Sequence, residues 1–192
     1  MFKSRVKSRY RKSRNARFYQ GDILKDLAFV VGDSGIETDL DLVELKYAVV
    51  ISQDCDIEHD FESRKKGKGH DKNLRSLLVC PAFNLEEFAN GTHFGTWEME
   101  KFNSKKVDKL KNNDEYKRYH YLPSTDEYLV PELILDFKHF FTLPRDFLYR
   151  KRQQVYLASL SELFREELSH RFSNYLSRIG LPEMSASATL LP

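Results

Sequence analysis

The sequence predicts a β-rich α+β domain that is closed by a C-terminal amphipathic helix. The prediction depends on two apolar segments, residues 45–52 and 76–80, and on a helical apolar repeat that begins near Ser159. The chain has 192 residues, and 41% of them are hydrophobic, which is enough for a single domain with one core.

Residues 1–17 are strongly basic, with eight lysines and arginines and no acid, whereas acids outnumber bases in the rest of the chain. Cations at alternate positions give no apolar stripe, so we expect a disordered arm, a single domain at 18–182 and a loose tail at 183–192. Such an arm is suited to binding nucleic acid phosphates, although a solvated tail is the open alternative. The cations assigned to this contact are Arg5, Arg9, Arg11, Lys12 and Arg14.

The first strands follow from local patterns. Alternating turn and apolar signals over residues 18–31 indicate a strand or a strand pair, and the continuously apolar segment 45–52 predicts the central strand. Residues 76–80 predict a second buried strand that ends at Pro81.

Lysine, arginine and glycine dominate residues 60–75, which predicts a mobile loop. The segment around Gly67 lacks the hydroxyl residue and the strand-to-helix order of a phosphate-binding loop, so we predict neither a nucleotide site nor a cofactor. Instead, Lys65, Lys66 and Lys68 are assigned to contact with nucleic acid.

The second half of the chain mixes helices and strands. Asn84 caps a predicted short helix over residues 85–89, and residues 119–122 and 128–143 are interpreted as strands.

The C-terminal helix has the clearest pattern. Ser159 and Glu162 form a capping box, apolar residues recur at spacings of three and four as far as Ile179, and Gly180 and Pro182 end the helix. We expect its apolar face to dock on the sheet.

Charge and cysteine content bear on location. Charged residues make up 31% of the chain, and no apolar run approaches the roughly 20 residues that span a bilayer, so we expect no membrane contact. The two cysteines fit reduced thiols, and the sequence therefore predicts a cytoplasmic protein.

Residues 52–60, directly after the predicted central strand, combine carboxylates, a thiol and an imidazole. Asp54, Asp56, His59 and Asp60 supply oxygen and nitrogen ligands that suit a divalent cation. Cys55 is a candidate nucleophile if a histidine lies beside it, and His59, His93 and His120 are the candidates for that partner. The segment is thus a candidate thiol or metal site at a strand end.

Two further interpretations of this segment stay open. Cys55, His59, His70 and Cys80 form a weaker candidate zinc site, because no CxxC or HxxxH pair is present. Alternatively, the segment is an acidic structural turn.

Three motifs resemble the MazF/PemK toxin family: Gly21-Asp22-Ile23, the strand that ends Val49-Val50-Ile51-Ser52, and Leu77-Leu78-Val79-Cys80-Pro81. The resemblance covers about residues 18–85 and implies an SH3-like β-barrel, a homodimer and cleavage of single-stranded RNA. The family has an arginine where this chain has Lys46, and a hydroxyl residue in the region of Ala82. Lys46 is therefore a candidate for stabilising a phosphorane, without the bidentate fork of arginine.

The prediction is a small SH3-like barrel with a docked C-terminal helix and a function associated with nucleic acid, RNA before DNA. It would be an endoribonuclease, or a degenerate derivative of one, from a bacterial toxin or phage-defence locus. The alternatives are a non-catalytic module whose arm binds an acidic partner protein, and a thiol or metal enzyme. The candidate catalytic residues are Lys46, Asp54, Cys55, Asp56 and His59.

Overall fold

The computed structural model describes residues 8–13, 15–32, 40–95, 97–113 and 115–178. Its strands are β1 (Tyr10–Arg11), β2 (Asp22–Gly32), β3 (Leu40–Val50), β4 (Ser76–Asn84), β5 (Tyr119–Leu122), β6 (Leu133–Asp136), β7 (Phe141–Pro144) and β8 (Tyr156–Leu160). Its α-helices are α1 (Asp54–Lys66), α2 (Leu85–Ala89), α3 (Ser104–Lys111), α4 (Arg145–Val155) and α5 (Glu162–Leu176), and a 3₁₀ turn covers His70–Lys72.

The strands form one curled antiparallel sheet in the order β1-β8-β2-β3-β4-β6-β5, and β7 also pairs with β4. The α+β prediction is confirmed at this level. β3 lies between β2 and β4, so the prediction of a central strand is also confirmed. Ala48, Val49 and Val50 are completely buried although neighbouring residues face opposite sides of the sheet, which explains the continuous apolar run.

The prediction that β4 ends at Pro81 is wrong, because the strand continues to Asn84. β7 pairs with β4 only as far as Val79, and β6 pairs with it only from Ala82. Pro81 therefore lies where one edge of β4 changes partner, a position at which the missing N–H leaves no ladder bond unmade.

Two apolar clusters lie on opposite faces of the sheet. The inner cluster contains Val49 of β3 together with Leu168 and Phe172 of α5. The outer cluster contains Val50 of β3 and Leu148 of α4, as well as buried residues of β2, β4 and α1. Neighbouring residues of β3 thus contribute to different clusters, because side chains alternate across a strand.

The interpretation of residues 60–75 as a mobile loop is wrong for its first half, because residues 60–66 belong to α1. Acidic residues lie in the first turn of α1 and basic residues in its last turn, which matches the helix dipole at both ends. Gly67 ends the helix with a φ of 65°, a conformation that favours glycine. Lys65 and Lys66 therefore lie on a helix, and Lys68 follows it.

Residues 1–17 were expected to form a disordered arm, but the described residues of this segment are part of the fold. Tyr10 and Arg11 pair with Leu160 and Ser159 of β8, and Tyr10 is buried in the inner cluster. Tyr10 also donates a hydrogen bond to the carbonyl of Pro123 (2.5 Å). The prediction of disorder considered the cations of this segment and overlooked Tyr10, a buried aromatic residue that anchors the segment to the domain. Arg5, Arg14 and the predicted tail at 183–192 lie outside the described residues.

The chain before the last helix differs from the prediction, since α4 and β8 occupy residues for which no element was predicted. Ser159 belongs to β8, and α5 begins after Ser161, so the predicted capping box does not form. The Ser159 hydroxyl instead donates a hydrogen bond to Asp22 (2.5 Å). Among the helices that the structure describes, none combines the length and apolar character needed to cross a membrane.

Replacing Leu168 with alanine is expected to lower the free energy of unfolding by about 2–5 kcal/mol, because the side chain is completely buried in the inner cluster. Leu163 is a matched control on the same helix, since it is 66% exposed, and its replacement should change stability by less than about 0.5 kcal/mol. Urea unfolding followed by circular dichroism measures both values. Equal losses in the two variants would contradict the packing described for α5.

Candidate functional site

The carboxylate of Asp54, at the start of α1, joins three segments of the chain. It accepts hydrogen bonds from Arg17 (3.2 Å) and from the backbone N–H of Gln20 (3.2 Å), and it forms an ion pair with Arg165 of α5 (3.1 Å). Both arginine side chains are largely buried. Asp54 is therefore occupied by structural partners, as expected of a residue that holds elements together.

Asp60, two turns further along α1, has a similar role on the other side of the helix. Its carboxylate is 1% exposed and accepts hydrogen bonds from Arg64 (2.7 Å), Arg145 of α4 (2.8 Å) and the backbone N–H of Leu74 (2.9 Å). A buried carboxylate with three donors is well compensated. It fixes α1 against α4 and the chain before β4.

Cys55 and His59 lie four residues apart on α1, so the helix places them on the same side. Both are exposed, and among the described residues the polar contacts of the thiol are to Gln53 and Asp56. His59 and Asp56 line different grooves. The helix thus brings the thiol and the imidazole to one side without a hydrogen bond between them in the described structure.

Lys46 lies on β3 and forms an exposed ion pair with Glu87 of α2 (3.1 Å). This pairing raises the pKa of Lys46, first through the hydrogen bond and then through the charge of Glu87. Lys46 lines a separate depression with Asp26 and Glu44. The contacts that the structure describes do not bring Lys46 together with the candidates on α1.

The proposed metal and zinc ligands do not form a cluster in the described part of the chain. No group of three or more histidine, cysteine or acidic residues there has the arrangement of a metal site. Cys80 is fully buried, and desolvation raises the pKa of its thiol well above the ordinary value.

Three lysines at and after the C-terminal end of α1 line an open groove of about 550 Å³. Lys66, Lys68 and Lys72 contribute to it, together with His59, Glu58, Glu62, Ser63 and Gly69. Neither Lys68 nor Lys72 has an ion-pair partner among the residues that the structure describes, while Lys66 makes a long contact of 3.8 Å with Glu62. We call this feature the lysine groove.

A second groove, of about 460 Å³, runs between α1 and the N-terminal segment. Lys65 lines it on one side and Asn15, Arg17 and Tyr19 on the other. The fold therefore places one of the predicted nucleic-acid residues of α1 beside the predicted arm, which the sequence pattern did not indicate.

The described cations of the arm lie over aromatic rings. The guanidinium carbon of Arg9 is 4.0 Å from the ring centroid of Phe164, and that of Arg11 is 5.2 Å from the ring of Tyr19. Lys12 donates to the carbonyl of Leu157. These cations are thus held in place by the domain, in contrast to the freely moving arm that composition predicted.

A buried carboxyl group that sequence reasoning missed lies under the arm. Asp22 is fully buried and accepts hydrogen bonds from the hydroxyl of Ser159 (2.5 Å) and the backbone N–H of Tyr19 (2.9 Å). Burial raises the pKa of Asp22 to about 7, and the hydrogen bonds and the charges of Arg152 and Arg11 oppose that rise. Its position after Gly21 indicated a turn, and no local signal indicated its burial.

No family model matches the chain, and no curated protein matches it.

Replacing Asp54 with asparagine is expected to lower the free energy of unfolding by about 1–3 kcal/mol, because two arginines lose their charged partner. The control is Asp56→Asn, which removes an exposed carboxylate from the same helical turn and should cost less than about 1 kcal/mol. Urea unfolding of both variants measures the difference. If Asp54→Asn is as stable as the wild type, Asp54 does not join the segments as described.

Asp22 is expected to make stability depend on pH. Its pKa rises from 3.8 in the unfolded chain to about 7 in the fold, so the folded state holds the proton over that interval. The stability of the fold should therefore fall as pH increases from about 4 to 7 relative to an Asp22→Asn variant, and then level off.

Urea unfolding of the wild type and Asp22→Asn at several pH values between 4 and 8 tests this expectation. The difference between the two proteins removes the contribution of all other titrating groups. A difference that does not change across the interval would show that the fold does not raise the pKa of Asp22.

Proposed function

We propose that this protein binds nucleic acid, RNA in preference to DNA, through the lysine groove beside α1, and that it does so without cleaving the strand. The observation that carries the proposal is the convergence of Lys66, Lys68 and Lys72 on one open groove. Lys68 and Lys72 have no carboxylate partner among the described residues, and Lys66 makes only the long contact with Glu62. Exposed lysines of this kind release counterions when they neutralise phosphates, which favours binding to a polyanion.

The backbone around the groove supports a preformed surface. Gly67 and Gly69 have φ values of 65° and 76°, so the chain turns sharply on either side of Lys68. The hydroxyl of Ser63 donates toward the carbonyls of Lys68 (2.8 Å) and Gly69 (2.7 Å) as alternative acceptors. Lys68 is therefore presented from a turn that is held against α1, which lowers the entropy cost of ordering it.

The absence of cleavage follows from where the candidate catalytic groups lie. Asp54 is occupied by Arg17 and Arg165, and Lys46 pairs with Glu87 on a different part of the surface. General acid–base catalysis needs groups within hydrogen-bonding reach of one reacting atom. His59 lines the lysine groove, but Asp54 and Lys46 do not, so the groove holds only part of the candidate catalytic set. We infer a degenerate relative of the toxin-like nucleases, in which binding persists and the catalytic groups are dispersed.

We also propose that the sheet forms an SH3-like barrel. A curled antiparallel sheet with an inner cluster that includes Leu168 and Phe172 is compatible with an SH3-like barrel closed by α5. The rings of Phe137 and Phe172, 5.4 Å apart, supply the contact on which this closure would depend. The resemblance to the MazF/PemK family favours RNA over DNA as the ligand.

A triple variant in which glutamine replaces Lys66, Lys68 and Lys72 should bind single-stranded RNA more weakly. The negative slope of log K against log salt should also become shallower by about 2, since each lost phosphate contact contributes about 0.7. Fluorescence anisotropy with labelled RNA at several salt concentrations measures affinity and slope together. A matched control replaces Lys101, Lys105 and Lys117 with glutamine, since these three lysines in and around α3 are exposed and have no ion-pair partner among the described residues.

Equal losses in the two triple variants would contradict a specific groove. A wild type that binds single-stranded DNA as tightly as RNA would reject the RNA preference. The same RNA is also incubated with the wild type and Asp54→Asn, with and without a chelator. We expect intact RNA throughout, and cleavage that Asp54→Asn abolishes would restore the nuclease interpretation.

A further inference from the structure

A row of polar side chains crosses three strands beneath the arm. Arg11 of β1 and Asp22 of β2 are both paired with Ser159 of β8, which lies between them. Directly opposite residues of antiparallel strands project to the same face of the sheet. Arg11 therefore lies on the same face as Ser159 and Asp22. The hydroxyl of Tyr156 lies 2.9 Å from the hydroxyl of Ser159, and Arg152 of α4 lies over the ring of Tyr156, which places Arg152 beside the same row.

Aromatic rings hold the cations around this row in position. The guanidinium carbon of Arg152 is 4.7 Å from the ring centroid of Tyr156, and the ammonium group of Lys12 is 5.3 Å from the same centroid. Arg11 is held over Tyr19 at 5.2 Å. Side chains that are fixed in this way lose little further conformational freedom when an anion binds.

The two arginines have donors that the described residues do not use. Nε of Arg11 and both Nε and Nη2 of Arg152 are buried and have no hydrogen-bond acceptor there. Asp22, the carboxylate whose charge reaches them, is committed to Ser159 and the backbone of Tyr19. The side chains of Arg11 and Arg152 are nevertheless partly exposed, Lys12 is exposed, and none of the three forms an ion pair among the residues that the structure describes. This cluster of cations is therefore suited to receiving an anion from outside the domain.

We propose that Arg11, Lys12 and Arg152 bind successive phosphates of a single RNA strand. The proposal rests on the proposed RNA binding and adds a second contact region to it. The groove lined by Lys65, Arg17 and Tyr19 leads from α1 toward the ring over which Arg11 lies. A strand that contacts both regions would thus follow the junction between the N-terminal segment and α1.

Arg152→Gln tests the site, with Arg150→Gln as the control, since it removes the same charge from an exposed position two residues away on α4. By anisotropy with a labelled oligouridylate, Arg152→Gln should bind about tenfold more weakly, with a salt slope lower by about 0.7. Arg150→Gln should stay within about threefold of the wild type. Lys12→Gln, at an exposed position, provides a second variant, and thermal melts establish that each protein is folded.

Equal affinities of Arg152→Gln and Arg150→Gln, with Lys12→Gln unchanged, would overturn the site while leaving binding at the lysine groove intact. Titration with pyrophosphate, followed by NMR, tests the site independently of RNA. Amide shifts confined to residues 10–13 and 152–156, and lost in Arg152→Gln, would support an anion site even if the protein bound no RNA. The absence of such shifts in the wild type would reject it.

Discussion

The carboxylate of Asp54 connects the N-terminal segment, α1 and α5, and the surfaces around α1 depend on this junction. Arg17 and Arg165 approach it from two sides, and the N–H of Gln20 completes the contact. Two cations around one carboxylate offset the cost of removing it from water. The junction also determines where the chain runs before β2, because Arg17 and Gln20 flank Tyr19, and Tyr19 in turn carries Arg11 and Arg17 over its ring.

This path gives the basic N-terminal segment a different physical character from a free arm. A free polycation contacts phosphates at the cost of ordering each side chain, whereas cations held over rings are already positioned. Pairing of Tyr10 and Arg11 with β8 also covers a strand edge that would otherwise be exposed. The same residues therefore protect the sheet and present charge, and we expect mutations in this segment to change stability as well as the proposed binding.

The elements that were predicted correctly are those that a short stretch of sequence is enough to specify. The end of β3, residues 48–50, is buried on both faces, and α2 is capped by Asn84, whose side chain accepts a hydrogen bond from the backbone N–H of Glu86, so sequence patterns were sufficient for both. α1 and α4 were missed because each buries few apolar residues, and their positions depend on Asp60 and Arg145, which are far apart in sequence. The burial of Asp22 was hidden for the same reason, since Ser159 is 137 residues away.

Residues 52–60 suggested an active site because their reactive groups are adjacent in sequence. The fold gives these groups separate roles. A helix rises about 1.5 Å per residue, so Asp54 and Lys66 lie about 18 Å apart along α1. A phosphate bound by Lys66 would therefore be beyond direct reach of the Asp54 carboxylate. The acids at one end of α1 stabilise the helix and its junctions, and the lysines at the other end are available to a ligand. A binding surface therefore explains this segment with fewer assumptions than an active site does, even though its composition resembles that of an active site.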